Sequence, residues 1–432
     1  MVAAPSSGSG KTVVTLGLLA HLKRTGVAAA SLKAGPDYID PAFHARATGR
    51  DCFNFDTWAM RPPTLSAAAT HAGDGAGVVV CEGVMGLFDG ASADEGATSD
   101  IARLTGWPVV LVVDARAQGA SAAALVKGFA TFRDNVRVEG VIFNRVGSER
   151  HQRVIRAVME RDVPDVRVLG MIPSHEGLAL PSRHLGLVQA MEHDGLDAAI
   201  QRAATIVQRH VDVDALTAMA TGWNAEGTVA PLPPLAQRIA VARDEAFAFA
   251  YPMVLEGWRA KGAQISFFSP LQDQAPAPDA GAVYLPGGYP ELHAYRLASA
   301  DRFKTGLSEA ARRGAFVYGE CGGYMVLGRG MTDADGTPHV MAGLLPLSTT
   351  FAERKLHLGY RRLKLIADTP LGPVHGRYRG HEFHYATVKS EGPAPNLFEA
   401  LDADDRDVGR MGLVNGTVFG SFAHLIDREA KS

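Results

Sequence analysis

Apolar residues in the first half of the chain fall into short unbroken runs. Val78-Val79-Val80-Cys81, Val109-Val110-Leu111-Val112-Val113, Gly140-Val141-Ile142-Phe143 and Val168-Leu169-Gly170-Met171-Ile172 are of this kind. Such runs, rich in β-branched residues, predict strands buried on both faces. Helix-compatible stretches separate them, as at Ala120 to Phe132 and Glu149 to Arg161. Strands alternating with helices build a parallel sheet covered on both sides. Ala28 to Leu32 predicts a further strand. So does Val2-Ala3-Ala4, which is so short that either this strand is truncated or the natural start lies upstream. The pattern lapses from Gly222 to Gln237, where three prolines and two glycines interrupt the chain without periodicity. A second α/β series follows, with strands expected at Ile239 to Ala242, Ala263 to Phe268, Ala282 to Leu285 and Ala315 to Tyr318, and a helix around Trp258. The reading is α/β with two doubly wound domains: residues 1–222, a linker at 223–237, and residues 238–432.

Length and composition agree with this division. A chain of 432 residues exceeds one ordinary hydrophobic core. With 47% hydrophobic and 21% charged residues the composition is globular, and the net charge of −3 argues against nucleic acid or an anionic membrane as partner. Cys52, Cys81 and Cys321 form neither a disulfide framework nor a metal-ligand spacing. With no signal peptide and no membrane-length apolar run, a cytoplasmic protein is expected.

The first strand leads into Pro5-Ser6-Ser7-Gly8-Ser9-Gly10-Lys11-Thr12 and then an apolar helix. This is the context of a phosphate-binding loop, which predicts a nucleotide site at Gly8, Ser9, Gly10, Lys11 and Thr12. Backbone N–H groups and the helix N-terminus cradle phosphate, the lysine neutralises charge, and the Thr12 hydroxyl can ligate Mg²⁺. The usual G-x-x-x-x-G-K-[ST] pattern carries a glycine where Pro5 stands. Glu82, at the carboxyl end of an apolar strand, is a metal candidate by position. Asp37 and Asp40 are expected in a loop rather than a helix. Pro5 to Thr12, Asp37, Glu82 and Asn144 all fall at strand carboxyl ends, where ligands of open α/β sheets bind.

In the second half, Ala315-Phe316-Val317-Tyr318-Gly319-Glu320-Cys321-Gly322-Gly323-Tyr324 has the form of a nucleophile elbow, with a helix from Tyr324 to Leu327. Helix N–H groups aimed at the sulfur favour thiolate. Pro286-Gly287-Gly288 offers unhindered backbone at another strand end, so the N–H groups of Gly288 and Gly322 can form an oxyanion hole. The nucleophile needs a base, and His424, His381, His384 and His357 are candidates that sequence alone does not rank.

Together, Ala4 to Thr12, Lys33 to Pro41, Glu82 to Gly90, Phe143 to Gly147, Leu285 to Glu291, Gly319 to Gly323, Gly380 to Tyr385 and Gly420 to His424 resemble the cobyrinic and hydrogenobyrinic acid a,c-diamide synthases nearly end to end. The resemblance implies a dethiobiotin-synthetase-like, P-loop ATPase domain followed by a class I glutamine amidotransferase domain. It implies ATP and Mg²⁺ as cofactors, and glutamine and a corrinoid tetrapyrrole as substrates. It makes His424 the base for Cys321 and Asn144 the adenine contact. It also places Asp37, Tyr38, Asp40 and Asp89 near the tetrapyrrole, with Asp37 also near Mg²⁺. Many class I amidotransferases carry Glu two residues after the histidine; here Ile426 stands there, so a Cys-His dyad is expected. A homodimer is a possible assembly. A Ni-sirohydrochlorin a,c-diamide synthase and a nucleotide-switched, partitioning-type ATPase are the alternative readings, and cobyric acid synthase, with a different loop at Lys33 to Asp40, ranks behind them.

Overall fold

The computed structural model describes residues 1–174, 182–183, 186–187, 189–192, 195–223 and 230–429. Residues 224–229 of the expected linker lie outside them. Two compact units emerge, Met1–Trp58 with Leu65–Gly227, and Ala59–Thr64 with Thr228–Ser432. No described helix is long and apolar enough to cross a membrane.

In the first unit, β1 (Val2–Ala3), β2 (Ala29–Ala34), β3 (Phe53–Phe55), β4 (Val78–Glu82), β5 (Val109–Asp114), β6 (Val138–Val146) and β7 (Arg167–Pro173) make a seven-stranded sheet. Its order is β3-β2-β4-β1-β5-β6-β7, and every neighbouring pair is parallel. The apolar runs are buried as their lack of alternation requires: Leu111, Val112, Val113 and Phe143 are all inaccessible. The expected helices are present at Ala120–Thr131 and Glu149–Asp162. The helix after the phosphate loop, α1 (Lys11–Arg24), lies against a helix at Leu196–His210. The contact is so close that a Cβ on Gly17 would sit 2.7 Å from the Ala203 carbonyl oxygen. One expectation is corrected: Asp40 opens the helix Asp40–Thr48, and only Asp37 of the pair lies in the loop. Asp37 Oδ1 accepts from the N–H groups of Ile39 and Asp40 at the start of that helix, the hydrogen bonding through which Asp favours helix starts.

In the second unit, five parallel strands (Gln264–Phe268, Arg238–Ala242, Ala282–Leu285, Phe316–Glu320 and Val418–Ser421) form one end of a ten-stranded sheet. Asp407–Asn415, Asn396–Leu401, His357–Leu365, Arg377–His384 and Ala423–Arg428 continue it in antiparallel fashion. Only Phe422 separates Val418–Ser421 from Ala423–Arg428, yet the latter pairs with Arg377–His384, so this part of the sheet curls back on itself. His424 therefore lies inside the strand Ala423–Arg428. The helix Asp301–Arg312 covers the parallel part with Phe303, Leu307 and Ala310, a helical stripe that joins Val283, Leu285 and Val317 in the core. Each large apolar side chain buried this way stabilises the unit by roughly 1.5–3 kcal/mol. A cross-strand aromatic ladder, Tyr284 beside Tyr318 beside Phe419, stacks at 5.7 and 4.9 Å on one sheet face. Glu320, two residues after Tyr318, shares that face.

Candidate functional site

The loop between β1 and α1 turns through Gly8 and Gly10, with φ of 81° and 90°, a region open at low cost to glycine. Asn144, on β6, comes so close to Gly10 that a side chain there would strike it, and its Nδ2 donates to the Ser9 carbonyl at 2.9 Å. Thr12 Oγ1 donates to Glu82 Oε1 at 2.7 Å and lies 3.4 Å from Asp40 Oδ2. The structure thus brings Ser9, Thr12, Asp40, Glu82 and Asn144 together at the carboxyl edge of the sheet. Asp37 and the buried Tyr38 lie in the adjoining loop. Asp89 Oδ2 accepts from the Gly86 N–H at 3.0 Å, in the loop after β4.

Two residues to which the sequence assigned no role sit at the centre of this group. Lys33, buried in β2, places Nζ 2.6 Å from Asp40 Oδ2 and 2.9 Å from Glu82 Oε1. Burial disfavours its charge, but Asp40, Glu82 and Asp37 overcome that and hold its pKa well above the usual value. His44 Nε2 lies 2.6 Å from Glu82 Oε2. Burial again opposes, yet the Cys52 sulfur and Glu82 raise His44 to about 10. Burial pushes Glu82 up, but Lys33, His44 and Lys11 together depress it well below the usual carboxylate range. Lys11 is shifted down by burial and by repulsion from Lys33, while burial and the Asp40 charge raise Asp37 to about 6. The site is a compact alternation of buried cations and carboxylates, suited to holding polyphosphate oxygens and a hard divalent cation.

The second unit's site forms where the strand Phe316–Glu320 meets the helix Gly322–Leu327. Cys321 occupies the corner with φ 46° and ψ −105°, the strained turn that characterises an elbow nucleophile. A Cβ on Gly319 would lie 2.7 Å from the Gly323 carbonyl carbon, so only glycines permit so sharp a crossing. The Gly322 N–H bonds to the sulfur, but burial, followed by the Glu291 charge, dominates and pushes the thiol well above its usual value. The helix N–H expected to favour thiolate is present, with burial working against it, and Sγ faces the Phe383 carbonyl at 3.8 Å.

Gly287 lies between Cys321 and His424. A Cβ there would overlap the His424 ring, lying 2.8 Å from Nε2 and 3.2 Å from Cys321 Cβ. Gly288 adjoins the elbow as well, its N 3.1 Å from where a Gly322 Cβ would be. The structure therefore gathers Cys321, His424, Gly288 and Gly322 around one point. His424 is fully buried, and burial, then the neighbouring His381 and His384, lowers it to about 3, so it rests neutral and able to accept a proton. Gly287→Ala is expected to lower glutamine hydrolysis by about 10²-fold, the scale of a misplaced reacting group, with ammonium-driven amidation unchanged; parallel assays with the two nitrogen sources check this.

His381, His384 and His357 serve other contacts. His381 pairs with His424 across neighbouring strands. His384 Nε2 meets Glu382 Oε1 at 2.9 Å, while Arg361 holds Glu382 Oε2 at 2.7 Å. His357, Glu382 and His384 could bring ligand atoms within 4.8 Å. However, the two imidazoles stack in parallel at 4.7 Å and 9° instead of converging on one ion, and Glu382 already holds Arg361.

Two family models match the chain. Residues 1–188 match the CobQ/CobB/MinD/ParA nucleotide binding domain and residues 238–431 the CobB/CobQ-like glutamine amidotransferase domain. A hydrogenobyrinate a,c-diamide synthase of Brucella abortus is 56% identical over 433 residues, spanning 99% of this chain and 98% of its own. The chain belongs to the hydrogenobyrinate a,c-diamide synthase family. Further hydrogenobyrinate a,c-diamide synthases, from Rhizobium meliloti and Rhodobacter capsulatus, are 54% and 52% identical and are spanned over 98% of their lengths. The chain is also similar to a solved glutamine amidotransferase of Thermotoga maritima at 18% identity, over 43% of this chain and 75% of that one, with a TM-score of 0.31.

Proposed function

We propose that the protein amidates the a and c carboxylates of hydrogenobyrinate, consuming ATP and glutamine. The observation that carries this reading is the near end-to-end identity with hydrogenobyrinate a,c-diamide synthases. Residues 1–222 are the amidating ATPase and residues 238–432 the glutaminase. Its use of ATP and glutamine, both abundant in the cytoplasm, supports a cytoplasmic reaction.

A carboxylate resists attack by ammonia, so it is first activated. A substrate carboxylate oxygen attacks the γ-phosphorus of ATP, the bond to the β-phosphate oxygen breaks, and ADP leaves an acyl phosphate. The N–H groups at Gly8, Ser9 and Gly10, with Lys11, stabilise the transferring charge. Asn144 holds the adenine side of the nucleotide, and Asp37, Tyr38, Asp40 and Asp89 face the macrocycle. Thr12, Glu82, Asp40 and Asp37 offer the hard oxygens that suit Mg²⁺, whose chemistry, when bound, is to neutralise phosphate charge. Lys33, between Asp40 and Glu82, forms an ion pair with each and holds the two carboxylates side by side.

In the glutaminase, His424 takes the Cys321 proton as sulfur attacks the glutamine amide carbon. The N–H groups of Gly288 and Gly322 stabilise the oxyanion. His424 returns the proton to nitrogen, the C–N bond breaks and ammonia departs. Water hydrolyses the thioester to glutamate and restores the thiol. Ammonia nitrogen then attacks the acyl phosphate, the carbon–oxygen bond to phosphate breaks, and the amide and inorganic phosphate result. A nucleotide switch of the partitioning type leaves residues 238–431 without a role.

Mass spectrometry of parallel reactions with hydrogenobyrinate, cobyrinate and Ni-sirohydrochlorin tests the reading. Diamidation favouring hydrogenobyrinate is expected; conversion of Ni-sirohydrochlorin alone would overturn it.

A further inference from the structure

The fold supplies a carboxylate to His424 from an unexpected direction. Ile426 occupies the position where many class I amidotransferases have Glu, yet Glu320 Oε2 lies 3.9 Å from His424 Nδ1, with both groups almost wholly buried. The ring edge bearing Nε2 faces the corner shared by Gly287 and Cys321, so Glu320 stands behind the histidine and the nucleophile in front.

Three hydrogen-bond donors converge on the Glu320 carboxyl. Tyr284 donates to Oε2 at 2.6 Å, Tyr318 donates to Oε1 at 2.8 Å, and the Leu425 N–H donates to Oε1 at 3.0 Å. The two hydroxyls come from the aromatic ladder, whose rings lock them in place. The Leu425 bond fixes the backbone immediately after His424. Three donors on a buried group match an anion's lone pairs better than those of a structural amide.

We infer that Glu320 is the positioning residue of the glutaminase, orienting His424 and balancing its charge when it takes the Cys321 proton. This rests on the assignment of Cys321 and His424 above. Nucleophile and positioning carboxylate are then adjacent in sequence on one strand end, while the base arrives from Ala423–Arg428. The 3.9 Å gap closes when Nδ1–H of the imidazolium turns toward Oε2. No proton moves to Glu320; its role is orientation and charge.

The groups that act on this pair are few. Tyr284, Tyr318 and His424 face Glu320. His381, His384 and Glu382 act electrostatically on His424, the Phe249 backbone hydrogen-bonds its ring, and the Tyr251 ring lies 6.4 Å from it. Burial raises Glu320 to about 7, the three donors working against the shift. Since His424 stays neutral down to about 3, loss of glutaminase on the acid side tracks protonation of Glu320.

The test measures glutamine hydrolysis by the full chain, with ATP and macrocycle present, across a pH series. The acid limb of wild-type kcat is expected near pH 7, at the Glu320 value. Glu320→Gln should lower glutamine-dependent kcat by about 10²-fold or more, leave KM within about threefold, and abolish that limb. Amidation with ammonium salts should stay at the wild-type rate and report an intact fold. Wild-type kcat and an unmoved limb in Glu320→Gln overturn the inference. If that variant loses ammonium-driven activity too, Tyr284→Phe decides. It keeps the carboxylate and removes one donor, so the limb should move to higher pH, and an unmoved limb contradicts the role. Undiminished hydrolysis by Cys321→Ala would instead sink the underlying assignment, a result distinct from any at Glu320.

Discussion

Cys321→Ala is expected to lower glutamine-dependent amidation by about 10⁴-fold or more, as loss of a nucleophile does elsewhere, while amidation with added ammonium salts persists. The substitution removes one sulfur from a corner whose backbone is held by other means. The Cys321 N–H donates to the Ser421 carbonyl at 2.8 Å, and the Cys321 carbonyl accepts from Met325 at 3.0 Å. Neither bond needs the side chain, so the elbow keeps its shape. The groups proposed to activate the carboxylate, Lys11, Thr12 and Glu82, belong to the first unit and to a different sheet. A folded variant that loses both activities would contradict the division of labour.

Lys11→Ala is expected to abolish amidation with either nitrogen source, by about 10²–10³-fold in kcat, the scale of losing one preorganised charge-stabilising group. Lys11 is buried at the head of α1 and shares its surroundings with Lys33, which disfavours its charge. Removing it relieves that repulsion, so the thermal midpoint should hold or rise while activity falls. This opposition separates a catalytic cation from a structural one. Residual glutaminase measured without ATP should be unchanged, since the Cys321 corner does not use Lys11.

What the sequence made legible followed from local rules. Unbroken Val/Ile runs marked the parallel strands because burial on both faces leaves no alternation to confuse them. Gly10-Lys11-Thr12 and the glycines around Cys321 were readable because backbone geometry demands particular residues at particular offsets. The antiparallel half was not. Its strands, such as His357–Leu365 with Arg361, Arg362 and Lys364, mix charge into a half-exposed pattern that reads as loop. Lys33 and His44 were hidden for another reason: a charged residue in a buried segment is itself a signal, but its partners, Glu82 above all, come from distant sequence. Glu320 was in view beside Cys321 and received no role, because the expectation placed the carboxylate after the histidine. Only the pairing of strands that seats His424 beside the elbow reveals it.

The most direct test of the two-site account supplies glutamine labelled with ¹⁵N at the amide to the full chain with ATP and hydrogenobyrinate, and weighs the product. The account predicts label in both new amides with wild-type protein and none with Cys321→Ala. Glutamine consumed without label reaching the macrocycle, or labelled product from Cys321→Ala, would contradict it.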